Sequence, residues 1–310
     1  LFDFNTDTLQ YYVQDKITLG NATINLGWKG FKVENNSSPV TAGGRATGKI
    51  KTQDWFQPHV GAAYKLSNNA ELFGGFTQVT RAFVSSTTSG PFSTTQAGFD
   101  AIKGTLKPEE SDTYELGARF NNRSFNGTVG VYYVNFRNRL LGLSTGAGIV
   151  GNPAVLQNVG DVRALGFEAA GDVRLGGGLS LFVSYSYNDT TYRNDVVNAL
   201  GAVVTATKDK TVVDTPKQLI RGEVAYDNDA FFGRVAVNYM SKRYFTYEND
   251  KSVPARALVD ATIGYRFDAG LRKPVEIQLN ATNLFDRNYV ATIGSNGFGS
   301  RGDNQTLLAG

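Results

Sequence analysis

Val275-Glu-Ile-Gln-Leu-Asn-Ala-Thr-Asn-Leu-Phe-Asp-Arg-Asn-Tyr289 is the stretch whose reading decides the fold. Val275, Ile277, Leu279 and Ala281 fall on one face, and Glu276, Gln278, Asn280 and Thr282 on the other. A period of two belongs to a β-strand, and the contrast between the faces means that one meets an apolar medium and the other water.

The same alternation recurs along the chain. Leu179, Leu181, Val183, Tyr185 and Tyr187 oppose Ser180, Phe182, Ser184, Ser186 and Asn188, with Phe182 the single break in the pattern. Leu165, Phe167, Ala169, Val173 and Leu175 oppose Glu168, Asp172 and Arg174. Tyr114, Leu116, Ala118 and Phe120 oppose Glu115 and Arg119; Val259, Ala261, Ile263 and Tyr265 oppose Asp260, Thr262 and Arg266. Between turn signals there are about twelve such segments, the first read as Thr8 to Leu19 and the last as Val275 to Phe285.

Composition agrees with an all-β chain. Of 310 residues, 35 are Gly, 15 Tyr and 20 Phe, against one Met and no Cys, which suits pleated strands and turns better than helix bundles. The mean hydropathy of −0.25 is too polar for a helical membrane protein, and there is no apolar run of about 18 residues. A membrane barrel is compatible with that value, because each strand needs only about 9–11 residues with every second one apolar. The absence of cysteine excludes disulfides, thiol catalysis and thiolate metal sites. A net charge of +3 with scattered Lys and Arg gives no support to a nucleic-acid partner. The start, Leu1-Phe-Asp-Phe-Asn, lacks the basic and apolar regions of a signal peptide.

Alternation alone leaves a soluble sandwich open. Loop lengths separate the two. Tight links at Gly20-Asn21, Ser67-Asn68-Asn69, Asn121-Asn122-Arg123, Gly176-Gly177-Gly178, Asp227-Asn228-Asp229 and Asp268-Ala269-Gly270 alternate with long ones near Glu34 to Asp54, Phe83 to Glu110, Leu140 to Asn158 and Asn194 to Val213. A shorter link lies around Tyr247 to Val253. Short periplasmic turns and long outer loops are the asymmetry of outer-membrane barrels. Tyr64, Phe120, Tyr226, Tyr265 and Phe267 each stand on the apolar face just before a tight turn, where an aromatic girdle belongs.

Direction follows from parity. With tight turns periplasmic, the first strand runs inward and the twelfth outward, and residues 288–310 read as an outer loop without a return strand. Unpaired edges are untenable in hydrocarbon, so the expectation is an incomplete barrel.

The wording of the strands resembles one family. Gln57-Pro-His-Val-Gly-Ala-Ala-Tyr64 with Glu71-Leu-Phe-Gly-Gly-Phe-Thr-Gln-Val-Thr-Arg-Ala-Phe83, Lys107-Pro-Glu-Glu-Ser-Asp-Thr-Tyr-Glu-Leu-Gly117, Asn158-Val-Gly-Asp-Val-Arg-Ala-Leu-Gly-Phe-Glu168 and Asn283-Leu-Phe-Asp-Arg-Asn-Tyr289 are similar, in order and spacing, to motifs of TonB-dependent outer-membrane receptors. The resemblance spans nearly the whole chain. It implies an all-β, antiparallel up-and-down transmembrane β-barrel of 22 strands, with residues 1–310 the C-terminal portion and the plug domain, TonB box, first nine strands and closing strand absent. It further implies residence in the bacterial outer membrane among its lipids, and TonB-driven uptake of a ferric siderophore or similar scarce nutrient, without cofactor or catalysis. A passive pore or autotransporter-type barrel, and a soluble β-sandwich binding domain, stand as alternatives.

No site chemistry rises from the residues themselves. Gly176-Gly-Gly lacks the following Lys-Ser/Thr of a phosphate loop. His59, the one histidine, reads as a polar contact in the lumen without metal partners. Glu109, Glu110 and Asp112 read as solvated or turn-stabilising, and Arg301-Gly302-Asp303 as a chance tripeptide. Ligand contacts follow by position alone. Arg81 and Phe83, Arg137 and Arg139, and Tyr192 and Arg193 leave the fourth, sixth and eighth strands for long outer loops, where guanidinium forks and flat rings suit oxygen-rich ligands.

Overall fold

The computed structural model of the protein describes residues 2–39, 46–83, 90–143, 155–197, 202–270, 273–294 and 306–309. It begins with long strands, β1 (Phe2–Leu19), β2 (Ala22–Pro39) and β3 (Gly48–Lys65), then β4 (Ala70–Thr80). A short helix, α1 (Gln96–Ile102), precedes β5 (Glu110–Asn121), β6 (Phe125–Arg137), β7 (Leu140–Leu143) and β8 (Val155–Asn158). Next come β9 (Val162–Gly176), β10 (Leu179–Tyr192), β11 (Val196–Val197), β12 (Val203–Thr205), β13 (Gln218–Asp227) and β14 (Phe231–Met240). The chain continues through β15 (Arg243–Tyr244), β16 (Ser252–Val253), β17 (Arg256–Phe267) and β18 (Val275–Ala281) to β19 (Val290–Gly294) and β20 (Thr306–Ala309).

Twelve of these strands form one antiparallel up-and-down sheet in the order β1-β2-β3-β4-β5-β6-β9-β10-β13-β14-β17-β18. The expected strand number and five of the six expected tight turns are present; the link expected at Asp268-Ala269-Gly270 is longer, since β17 ends at Phe267 and β18 begins only at Val275. β7–β8, β11–β12, β15–β16 and β19–β20 are separate two-stranded pieces at the ends of the long connections. Among the described residues β1 and β18 are free edges of the large sheet.

Burial is inverted relative to a soluble domain. Along the sheet Leu116, Ile263, Ile277 and Leu279 are 62, 64, 64 and 70% exposed, and they share one face with Leu26, Val60, Val131, Val183 and Val235. A continuous apolar face of this extent is a contact surface for another apolar medium, here a bilayer. Tyr64, Phe120, Tyr226, Tyr265 and Phe267 are all exposed on it near the tight turns. A second aromatic row, unmarked in the sequence reading, lies toward the other end. Phe76 and Tyr114 have ring centroids 4.9 Å apart, Tyr114 and Tyr133 6.3 Å, Phe167 and Tyr185 6.3 Å, and Trp28 and Phe56 6.1 Å. On β6 the step from Phe125 to Tyr133 is roughly 26 Å along the strand, or about 20 Å of height at a tilt near 40°, which matches an apolar band between two girdles.

Trp55 and Phe56 are consecutive and yet both exposed, at 43 and 60%. A bulge explains it: Lys29 pairs with Gln57 but Phe31 with Asp54, so three steps on β3 answer two on β2. Tyr11 stacks on Trp55, centroids 6.4 Å apart, and its hydroxyl donates to the Trp55 carbonyl.

The opposite face is polar and built on glycines that accept large neighbours. A Cβ at Gly117 would overlap Phe73, one at Gly166 would overlap Tyr132, and one at Gly264 would overlap Phe232. The flattened rings carry guanidinium groups, with Arg119 4.5 Å above Phe73 and Arg266 4.1 Å above Phe232. Phe182, the break in the alternation, lies under Arg221 at 6.0 Å and belongs to the same pattern. Carboxylates complete the columns: Glu71 lies 3.5 Å from Arg119, and Asp227 and Glu276 lie 2.8 and 3.0 Å from Arg266. His59 covers Gly27 on this face.

Several boundaries differ from expectation. The first strand begins at Phe2, and the link expected from Glu34 to Asp54 is mostly strand, since β2 reaches Pro39 and β3 starts at Gly48. These extensions carry polar residues on both faces, so a test for apolar alternation passes over them. The last sheet strand stops at Ala281 rather than Phe285. Asn283 and Asp286 have φ of 49° and 48°, in the left-handed region that Asn and Asp tolerate. The Asn283 side chain accepts from the Arg287 amide at 2.9 Å and donates to the Arg287 carbonyl at 3.1 Å, closing a turn that replaces the strand. The segment 288–310 is more than a loop, because β19 and β20 pair within it.

Candidate functional site

The buried apolar groups gather where the long connections fold together. Ala46, Ile50, Phe83, Phe92 and Phe99 form one cluster, with Phe4, Leu106 and Leu140 against it. Val159, Val162, Tyr192, Val196 and Tyr247 form another, with Phe136, Val212 and Val213 packed alongside. The loop end is therefore a folded crown on the sheet. Helix α1 is part of it: Thr95 caps the helix by accepting from the Gly98 amide at 3.2 Å, and Phe99 is its buried anchor.

Ion pairs stitch the crown to the strand ends. Glu109, 6% exposed, accepts from Arg139 at 2.7 Å and from the Leu140 amide at 3.1 Å. Glu110 and Asp112 clamp the Arg137 guanidinium, with Arg137 Nη2 3.0 Å from Glu110. The acids of the Lys107-Pro-Glu-Glu motif are thus clasped by arginines; of the two roles read for Glu109, solvated or turn-stabilising, burial rules out the first. Asn158 donates to the carbonyls of Lys107 and Asn138 at 2.9 and 2.7 Å, joining the two motif segments. Arg243, its side chain 8% exposed, bonds Asp214 at 2.7 Å and the Val290 carbonyl at 2.8 Å. A single substitution here therefore loosens more than one connection.

The six candidates chosen by position occupy different environments. Phe83 is buried, its amide donating to Thr52 Oγ1 at 3.1 Å and its carbonyl accepting from Asn35 at 2.7 Å. Tyr192 is 2% exposed and lies against Tyr247, ring centroids 6.2 Å apart. Arg139 is held by Glu109 and lies 5.4 Å from the Phe136 ring. Arg137 shares its face of β6 with Tyr133, the membrane side of the sheet by register with Tyr114. Arg81 and Arg193 are exposed, their backbone amides bonding Glu109 and Asp161 carbonyls at 2.8 Å each. The structure groups Phe83 and Tyr192 with packing and Arg137 and Arg139 with ion pairs, and the side chains of Arg81 and Arg193 are exposed without an ion pair to a described residue.

A further surface lies on the polar wall, a hollow of about 630 Å³ where Glu168 and Arg221 flank Leu219, Met240 and Leu258. Arg256 sits at its edge, 4.3 Å above the Tyr289 ring. Sequence reasoning did not single these residues out, because they come from strands far apart in the chain and are joined only by register. Among the described residues no group of His, Asp and Glu could hold a metal ion, and no helix is long and apolar enough to cross a membrane. Arg301, Gly302 and Asp303 lie outside the described residues.

Comparison with known proteins places this architecture. Residues 2–284 match the family described as TonB dependent receptor-like, beta-barrel. The ferric-pyoverdine M114 receptor PbuA of Pseudomonas sp. (strain M114) is 27% identical over 253 residues, 78% of this chain and 27% of the relative. The probable TonB-dependent siderophore receptor PiuA of Acinetobacter baumannii is 23% identical over 301 residues, 93% of this chain and 38% of the relative. The crystal structure of PiuA superposes with a TM-score of 0.74 at 19% identity, over 99% of this chain and 42% of that one. The unliganded ferric citrate transporter FecA gives 0.74 at 19% identity, over 100% and 44%. The chain thus spans less than half the length of each of these receptors. By its family match, its twelve-stranded sheet and its membrane-facing band, the chain belongs to the TonB-dependent receptor-like β-barrel family.

Proposed function

We propose that the chain forms part of the wall and crown of an outer-membrane receptor that takes up a ferric siderophore, or a similarly scarce nutrient, by TonB-dependent transport. The observation that carries the reading is the pairing of an apolar outer band between two aromatic girdles with a polar inner wall under a folded crown. A receptor needs all three: a seal against lipid, a wet passage and a fixed set of loops to catch a ligand. The relatives' names supply the ligand class. The free edges of β1 and β18, together with the span of less than half of the solved receptors, favour a larger barrel whose remaining strands and plug lie in further sequence. TonB would act on that plug, shifting its population toward a released state.

On the crown, Arg81 and Arg193 are the proposed ligand contacts, since their guanidinium groups are exposed and free of ion pairs to described residues. The test is uptake of labelled ferric siderophores by cells carrying the complete receptor, with and without TonB and with and without an uncoupler. Accumulation that depends on both TonB and the proton gradient is expected. Entry that continues at the same rate after the gradient is collapsed would mark a passive pore and sink the proposal.

A further inference from the structure

Asp15 is out of place on the membrane face. On β1 the residues Leu9, Tyr11, Val13, Asp15, Ile17 and Leu19 alternate to one side, and the register sets Asp15 opposite Leu26, which is itself opposite Val60. Leu26 and Val60 are 41 and 44% exposed on the apolar face. Asp15 lies midway between Tyr11, in the upper aromatic row, and Leu19, at the tight turn. Among the described strands of the large sheet, no other acidic or basic side chain has an outward position between the two rows. The Asp15 side chain is exposed and makes no hydrogen bond or ion pair with a described residue.

A carboxyl group in hydrocarbon is costly without a partner, and an ionisable side chain kept there calls for one. Cross-strand neighbours reach one another at about 5 Å. On the β2 side the reachable outward residues are Leu26, Ile24 and Trp28, none of which offers Asp15 a cationic group. The other side of β1 is the free edge of the sheet. Its backbone N–H and C=O groups also require partners inside a membrane, so a strand must lie there. The relatives have chain enough for it, since the superposed receptors extend well beyond the part this chain covers.

We propose that Asp15 forms a membrane-facing ion pair with a Lys or Arg on the strand that completes the sheet at the free edge of β1. The pair fixes the register of that seam. A slip by one residue would turn the basic side chain to the wet wall and leave Asp15 alone in lipid.

The experiment uses the complete receptor, folded in outer membranes, with the temperature at which the compact form is lost on unheated gels as the readout. An unpaired carboxyl in lipid would make Asp15→Leu stabilising; a paired one makes it destabilising. The transition is therefore expected to move down in Asp15→Leu and further down in Asp15→Lys. Changing each basic residue of the adjoining strand to Asp in the Asp15→Lys background should restore the transition at one position. A transition in Asp15→Leu equal to or above that of the parent overturns the proposal, as does failure of every exchange to restore Asp15→Lys.

Discussion

Gly264 has no side chain because the Phe232 ring occupies the place where one would stand, and Arg266 rests over that ring. Gly264→Val should push the ring off the wall and unseat Arg266 from Asp227 and Glu276. Overpacking of this kind costs about 1–3 kcal/mol, measurable as a lower unfolding temperature, while Gly222→Ala, with open space at its Cβ position, should change it little. An unchanged Gly264→Val transition would mean that the ring has somewhere else to go. The arginines divide in the same way. Arg81→Ala and Arg193→Ala in the complete receptor are expected to weaken ligand binding by roughly tenfold or more, the loss of a charge-assisted hydrogen bond of about 1.5–3 kcal/mol. Arg137→Ala should leave affinity within about twofold, since its guanidinium is committed to Glu110 and Asp112 on the membrane side. Titration of labelled ligand on outer membranes separates the two classes, and a large loss in Arg137→Ala would reverse the assignment. None of this was legible from position, which told which residues stood at strand ends but not which way each one turned.

At the scale of the element, helix α1 shows how little of the crown a periodicity reading reaches. Its seven residues are too few for an apolar stripe, and its stability comes from the Thr95 cap, the Phe99 anchor and one acidic latch. The Asp100 carboxyl is held below the ordinary carboxylate range, first by the hydrogen bond from Lys103 at 2.7 Å and then by Gln96 at 3.3 Å. A folded-state value below the unfolded one gives stability that is present above the unfolded value, near pH 4, and is lost as the pH falls through the folded one. Hydrogen-exchange protection at the Phe99 and Lys103 amides should therefore drop below about pH 4 in the parent protein. The drop should be absent in Asp100→Asn; protection equally pH-dependent in that variant would place the cause elsewhere. Strands were far more legible. Their alternation is a local property, and it failed where both faces meet water, as in the upper parts of β2 and β3, or where a bulge turns Trp55 and Phe56 to the same side.

For the whole molecule, the two free edges set the expectation. The 310-residue chain alone in detergent should lack the compact, heat-sensitive gel band of a closed barrel, whereas the complete receptor should show it, because hydrogen bonds along β1 and β18 need partners that only further strands supply. A compact band from the 310 residues alone would mean that β1 and β18 meet each other. Sequence by itself determined the all-β class, the number of sheet strands, five of the six tight turns and the lower girdle, because each depends on neighbours one or two residues apart or on the length of a link. The tertiary structure alone decided the upper girdle, the glycine-seated rings, the buried crown and the division of the six strand-end candidates. Those features arise from side chains that are distant in the chain and brought together by register. The same register, by lining up Leu26 and Val60 beside Asp15, turns an ordinary acidic residue into one that lacks a partner in the membrane.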